Sequence, residues 1–153
     1  MNSATTLLNR SAWLAWVLLG LSVAGLVGMI SDSAPPFKMT GYVASVPHRG
    51  ELLRVDVAVH RDLARECSVQ FSRHIFDASG VRWDVLATTT MTAQALAQLD
   101  AEAPGHLRLA VPVPPGAAPG PAKLVTPLQY ECNPWHGIRP IESTMTIEFE
   151  VLP

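Results

Sequence analysis

From Ala12 to Ile30 the chain reads AWLAWVLLGLSVAGLVGMI, nineteen residues without a charge. Beyond Pro36 the pattern changes to alternation. Leu53, Val55, Val57 and Val59 alternate with Arg54, Asp56, Ala58 and His60, the period of two that marks a strand with one face buried and one face wet. Leu107, Leu109, Val111 and Val113 repeat it, as do Val81, Trp83 and Val85. In the C-terminal run Ile141, Met145, Ile147, Phe149 and Val151 alternate with Glu142, Thr144, Thr146, Glu148 and Glu150. One segment departs from this period. TMTAQALAQLDAEAPG offers Thr92 as an N-cap, helix formers through Ala101, and a stop at Pro104-Gly105, which predicts a short helix between two strands.

The strands predicted in this way span about 37–46, 51–60, 66–77, 80–87, 106–113, 122–132 and 141–152. Seven strands of this length predict a mainly β chain, a Greek-key sandwich with one short helix. A closed barrel fits less well, because the connections are uneven and one contains the helix. PPGAAPGP, from Pro114 to Pro121, is long for a hairpin and is expected to carry the chain from one sheet to the other.

As a helix, 12–30 would span about 28 Å, close to the thickness of a bilayer's hydrocarbon core. The expected organisation is a cytoplasmic tail at 1–11, a transmembrane helix at 12–30, a proline-stiffened linker at 31–36 and the sandwich at 37–153. A cleavable signal peptide is the alternative, but its apolar region is usually about 7–15 residues long. Trp13 and Trp16 stand where an interfacial aromatic belt would lie. Arg10 and the amino terminus on one side, against Asp32 and Lys38 on the other, orient the N-terminus to the cytoplasm.

Arginine far outnumbers lysine, and alanine and proline are abundant, as in chains from GC-rich bacterial genomes. The expected location is therefore a bacterial inner membrane, with the C-terminal domain periplasmic or extracellular. The formal net charge is −2 with no basic run after the apolar segment, which argues against nucleic acid as a partner.

Two cysteines remain to be placed. Cys67 is in phase with Val69 and Phe71, and Cys132 with Leu128 and Tyr130, so both point toward a core. With the strands lettered A to G, Cys67 opens C and Cys132 closes F, antiparallel neighbours in such a sandwich. A disulfide between them at one end of a sheet is expected, and an exported domain would keep it oxidised. Cys67, Trp83 and the Tyr130-x-Cys132 pair resemble the Cys, Trp and Tyr-x-Cys pattern of immunoglobulin domains. That resemblance implies an immunoglobulin-like sandwich with a tyrosine corner before the second cysteine. Two departures stand beside it: Thr126 occupies a position where an acid is frequent, and the bridge would join C to F rather than B to F. The layout of tail, span and small exported sandwich also resembles membrane proteins carried by tailed phages and prophages.

The five histidines form no close pair of the H-x-x-x-H kind, and no C-x-x-C, G-x-S-x-G or phosphate-binding glycine loop is present. No cofactor and no catalytic residue is expected; a small metal-dependent or hydrolytic enzyme would need His60 and His136 to converge with an acid. The loops are more suggestive. HRDLARE, from His60 to Glu66, and NPWHGIRP, from Asn133 to Pro140, would emerge at the disulfide end. Trp135 and His136, with Arg61, Arg65 and Arg139, are the expected partner-contacting residues, since a rigid aromatic in a proline-bounded loop anchors interfaces at low entropic cost. Trp135 folding back onto the core is the bland alternative. Gly20, Ala24 and Gly28, four apart, make a smooth stripe on which a second helix, of this chain or another, can pack. The expected function is a membrane-anchored binding or scaffold subunit with a protein partner in the envelope. A phage-derived envelope protein acting in lysis or superinfection exclusion is the second class.

Overall fold

The computed structural model describes residues 3–62 and 64–153. They fall into two compact units that meet at Ala34 and Pro35. In the first, helix α1 spans Ser3–Ser31, so the tail predicted at 1–11 continues the helix from residue 3 onward. Its Trp13–Ser31 portion is long and apolar enough to cross a membrane. Pro35 and Pro36, which lack an N–H and disfavour helical backbone before them, stand just past its end.

The second unit is a sandwich of seven strands among the described residues. They are β1 (Phe37–Ala44), β2 (Leu52–Arg61), β3 (Ser68–Phe76), β4 (Arg82–Met91), β5 (His106–Pro112), β6 (Gly120–Glu131) and β7 (Ile141–Val151), with helix α2 (Ala93–Glu102) between β4 and β5. One sheet has the order β1-β2-β5, the other β4-β3-β6-β7, and every paired neighbour is antiparallel. Leu53, Val55 and Val57 of the first sheet meet Ile75, Leu124 and Ile147 of the second in a single buried core. Thr92 caps α2 as expected, its Oγ1 accepting from the Ala95 N–H at 3.3 Å.

Constant-type immunoglobulin domains place the fourth strand beside the A-B-E strands. Here β4 pairs with β3 instead, and the turn between them explains why. Gly80 at φ +80° closes a tight turn that leaves β4 nowhere to go but alongside β3. Asp77, 6% exposed, organises it. Its Oδ1 accepts from the N–H and hydroxyl of Ser79 and from the Val81 N–H, while Oδ2 accepts from Trp83 Nε1 and from the Ala118 N–H in the β5–β6 connection. One carboxylate thus ties the hairpin to the segment that crosses between the sheets, which is the role expected of Pro114 to Pro121. In that segment Gly116 lies under the Trp83 indole, and a Cβ there would stand 3.0 Å from Cη2. Gly116→Val is expected to cost about 1–3 kcal/mol through overpacking, read by thermal unfolding; an unchanged melting temperature would show that the indole has room to move.

Candidate functional site

Ser68 pairs with Glu131 and Val69 with Tyr130, so the residues just outside these strands, Cys67 and Cys132, are neighbours. They form the disulfide, which joins adjacent strands of one sheet rather than crossing between sheets. A second apolar cluster packs beneath it, with Val69, Phe71, Tyr130 and Ile141 at its centre. The Tyr130 ring stacks on Phe37 at 6.0 Å. Its hydroxyl is buried with no hydrogen-bond partner, so the tyrosine corner implied by the resemblance is not made. Burial pushes that hydroxyl's pKa up to about 12.

Both expected loops flank the bridge. In the second, Pro134–Gly137 form a 3-10 turn capped by Asn133, whose Oδ1 accepts from the N–H groups of Trp135 and His136. His136 is 2% exposed, and its Nδ1 accepts from the Cys132 N–H at 3.2 Å. That geometry makes its ring an internal latch and takes it off the loop's surface. Trp135 is half-buried, whereas Ile138 is 79% exposed and Arg139 is exposed beside it. The presented apolar group is therefore Ile138, which the aromatic emphasis of the sequence reading passed over.

Arg61 ends β2 in phase with its inward residues; Nη2 donates to the His106 carbonyl at 2.9 Å and the guanidinium lies 5.5 Å over the Phe37 ring. Arg65 lines a cleft of about 290 Å³ beside the disulfide, where Asp62 and Glu66 offset its charge. Leu63, in the same loop, lies outside the described residues.

Among the described residues no three His, Cys, Asp or Glu side chains are grouped so as to hold a metal. His60 is exposed and shares the wet face of its sheet with Lys38 across the β1–β2 register, while His136 is enclosed.

One grouping has the atom order of a hydrolytic triad. Ser72 Oγ lies 3.1 Å from His74 Nε2, and His74 Nδ1 lies 2.7 Å from Asp84 Oδ1. However, Arg82 donates from Nε to the same Asp84 oxygen, and its Nη2 stands 3.1 and 3.2 Å from the two imidazole nitrogens, where a catalytic base would need freedom. The other sheet repeats the arrangement on its own outer face. There His106 Nδ1 lies 2.7 Å from Asp56 Oδ1 and Arg108 Nε stands 3.6 Å from the other carboxylate oxygen. Arg82 and then His74 lower the pKa of Asp84, and His106 foremost lowers that of Asp56. Two such His–Asp–Arg clusters on the outer faces of the two sheets read as cross-strand pairing. Their contacts come from strand register, which motif spacing does not reveal.

No protein-family model matches the chain, and no curated protein matches it. Among solved structures it is similar to the major subunit of aggregative adherence fimbriae type I from Escherichia coli. The identity is 10% and the TM-score 0.39, over 77% of this chain and 95% of that one. A likeness this distant carries no argument about function or assembly.

Proposed function

We propose that the protein is a membrane-anchored binding or scaffold subunit whose exported sandwich presents its disulfide-bearing end to a protein partner in the bacterial envelope. The observation that carries the reading is Ile138, 79% exposed on a loop held by the Cys67–Cys132 bridge, the His136 latch and the flanking prolines Pro134 and Pro140. A stiff loop spends little entropy on docking, and a large exposed apolar side chain gains by being covered. Anchoring is supported by the apolar stretch of α1, and export by the oxidised cysteine pair together with Arg10 at the helix's N-terminal side. The stripe of Gly20, Ala24 and Gly28 on α1 would add helix pairing within the bilayer, with a second copy or with the partner.

The test is affinity capture from native membranes in mild detergent. Ile138→Asp is expected to reduce recovery of a specific partner by more than about tenfold, the scale of an interface anchor, and Trp135→Ala by less. A partner retained by Ile138→Asp but lost with Gly20→Leu and Ala24→Leu would move recognition to the membrane helix.

A further inference from the structure

Counting by twos along β3 places Cys67, Val69, Phe71, Arg73, Ile75 and Asp77 on the face that points into the sandwich. A guanidinium in that row is anomalous. Among the described residues no carboxylate pairs with Arg73; its contact is with the Phe71 ring, 5.0 Å from the guanidinium carbon, and its Nε is buried without an acceptor. Burial also lowers its pKa from the ordinary value. Arg73 lines a half-open cavity of about 70 Å³. Thr126 and Tyr130 open onto the same cavity, 1% and 0% exposed, and neither hydroxyl has a hydrogen-bond partner. Apart from Arg61, a second guanidinium at the cavity, the remaining wall is apolar, with Leu107, Leu128, Met91 and Met145 among it. Phe37 and Leu96, on β1 and α2, line both this cavity and the larger cleft beside the disulfide, so the two spaces adjoin.

Arg73 is half-buried, but its Nε–H and the two hydroxyls are buried and left unsatisfied; each such group is expensive, and the three have complementary needs. The guanidinium can donate and cannot accept, and each hydroxyl has a proton to give. An occupant that only accepts, carries a negative charge and has an apolar remainder satisfies all of them at once. Water satisfies the hydroxyls but not the charge. We propose that this cavity is a binding site for a small carboxylate with a short alkyl chain, its carboxylate held by Arg73 and the Thr126 and Tyr130 hydroxyls and its chain lying against the methionines. One water needs about 10–15 Å³ of such space, so a cavity of about 70 Å³ admits a ligand of a few heavy atoms. The site is independent of the Ile138 loop, so either reading can fail alone.

The experiment uses full-length protein in lipid nanodiscs with ¹³C-methyl methionine, butyrate as probe, and butyramide and sodium chloride as controls. Met91 and Met145 line the cavity and Met39 does not. Butyrate is expected to shift the Met91 and Met145 methyl signals saturably while Met39 stays fixed; neutral butyramide and chloride leave all three in place. Arg73→Met, in a protein whose methyl dispersion shows it folded, weakens butyrate binding by about tenfold or more, as loss of a charged hydrogen bond would. Thr126→Val, which keeps the shape, weakens it less and serves as the second variant should Arg73→Met not fold. Absence of a butyrate shift, equal shifts with butyramide or chloride, or undiminished butyrate binding in the variants would overturn the proposal.

Discussion

The Cys67→Ser/Cys132→Ser variant is expected to unfold with about 4 kcal/mol less free energy than the oxidised protein. The bridge closes 65 residues, and closing a loop of that length removes much of the unfolded chain's freedom. A domain's whole net stability is about 5–15 kcal/mol, so the loss is a large share of it. The effect has a local side as well. Cys132 anchors the strand end from which Asn133 and His136 build the 3-10 turn, so freeing it should loosen the Ile138 loop before the sheets part. Urea unfolding of the oxidised protein and of the double serine variant measures the first effect, and hydrogen exchange at residues 134–139 the second. A difference under about 1 kcal/mol would mean that strand pairing alone confines this end.

The second large effect is expected at Asp77. Asp77→Ala leaves five donors from Ser79, Val81, Trp83 and Ala118 without their acceptor. Asp77→Asn is gentler in shape but turns an NH₂ toward donors that faced an oxygen. The alanine variant should lose on the order of 10 °C in melting temperature. The hydroxyl of Ser79 first, then the Ala118 N–H and the Trp83 indole, hold the Asp77 carboxyl well below the usual carboxylate range. The sign follows from that depression. Stabilisation by the ionised group is fully present above the unfolded-state value of about 3.9 and is lost as pH falls through the lower folded value. The gap in melting temperature between wild type and Asp77→Asn should therefore be constant near neutrality and narrow below about pH 4. A gap unchanged down to strong acid would show that Asp77 acts through shape rather than charge.

The elements that alternation or apolar length could announce were legible in the sequence. All seven strands start within two residues of the predicted positions, and β1, β5 and β7 start where predicted. The short helix begins behind Thr92, and the cysteine pair follows from the C-to-F adjacency. What the sequence reading missed depended on a register carried to its end. Following the β3 alternation past Phe71 puts Arg73 and Asp77 inside, the first with no carboxylate partner among the described residues and the second with five donors. The inward face expected for the strand over 66–77 stops short of them, at Phe71. His136 and Ile138 exchanged roles for a different reason. Two residues apart in a loop, they differ only in which way the 3-10 turn rotates them, and that rotation is set by Asn133 capping the turn and by the Cys132 N–H reaching back to the imidazole. Gly116 under Trp83 likewise depends on a contact that no local pattern announces.

The central claim, that the disulfide end meets a protein partner in the envelope, is tested most directly by photo-crosslinking in native membranes. A photoreactive residue is placed at position 138 and, in a separate protein, at position 146, where Thr146 is exposed on β7. The account predicts a discrete adduct with one protein from position 138 and none from position 146. No adduct from either position, or the same adducts from both, would contradict it.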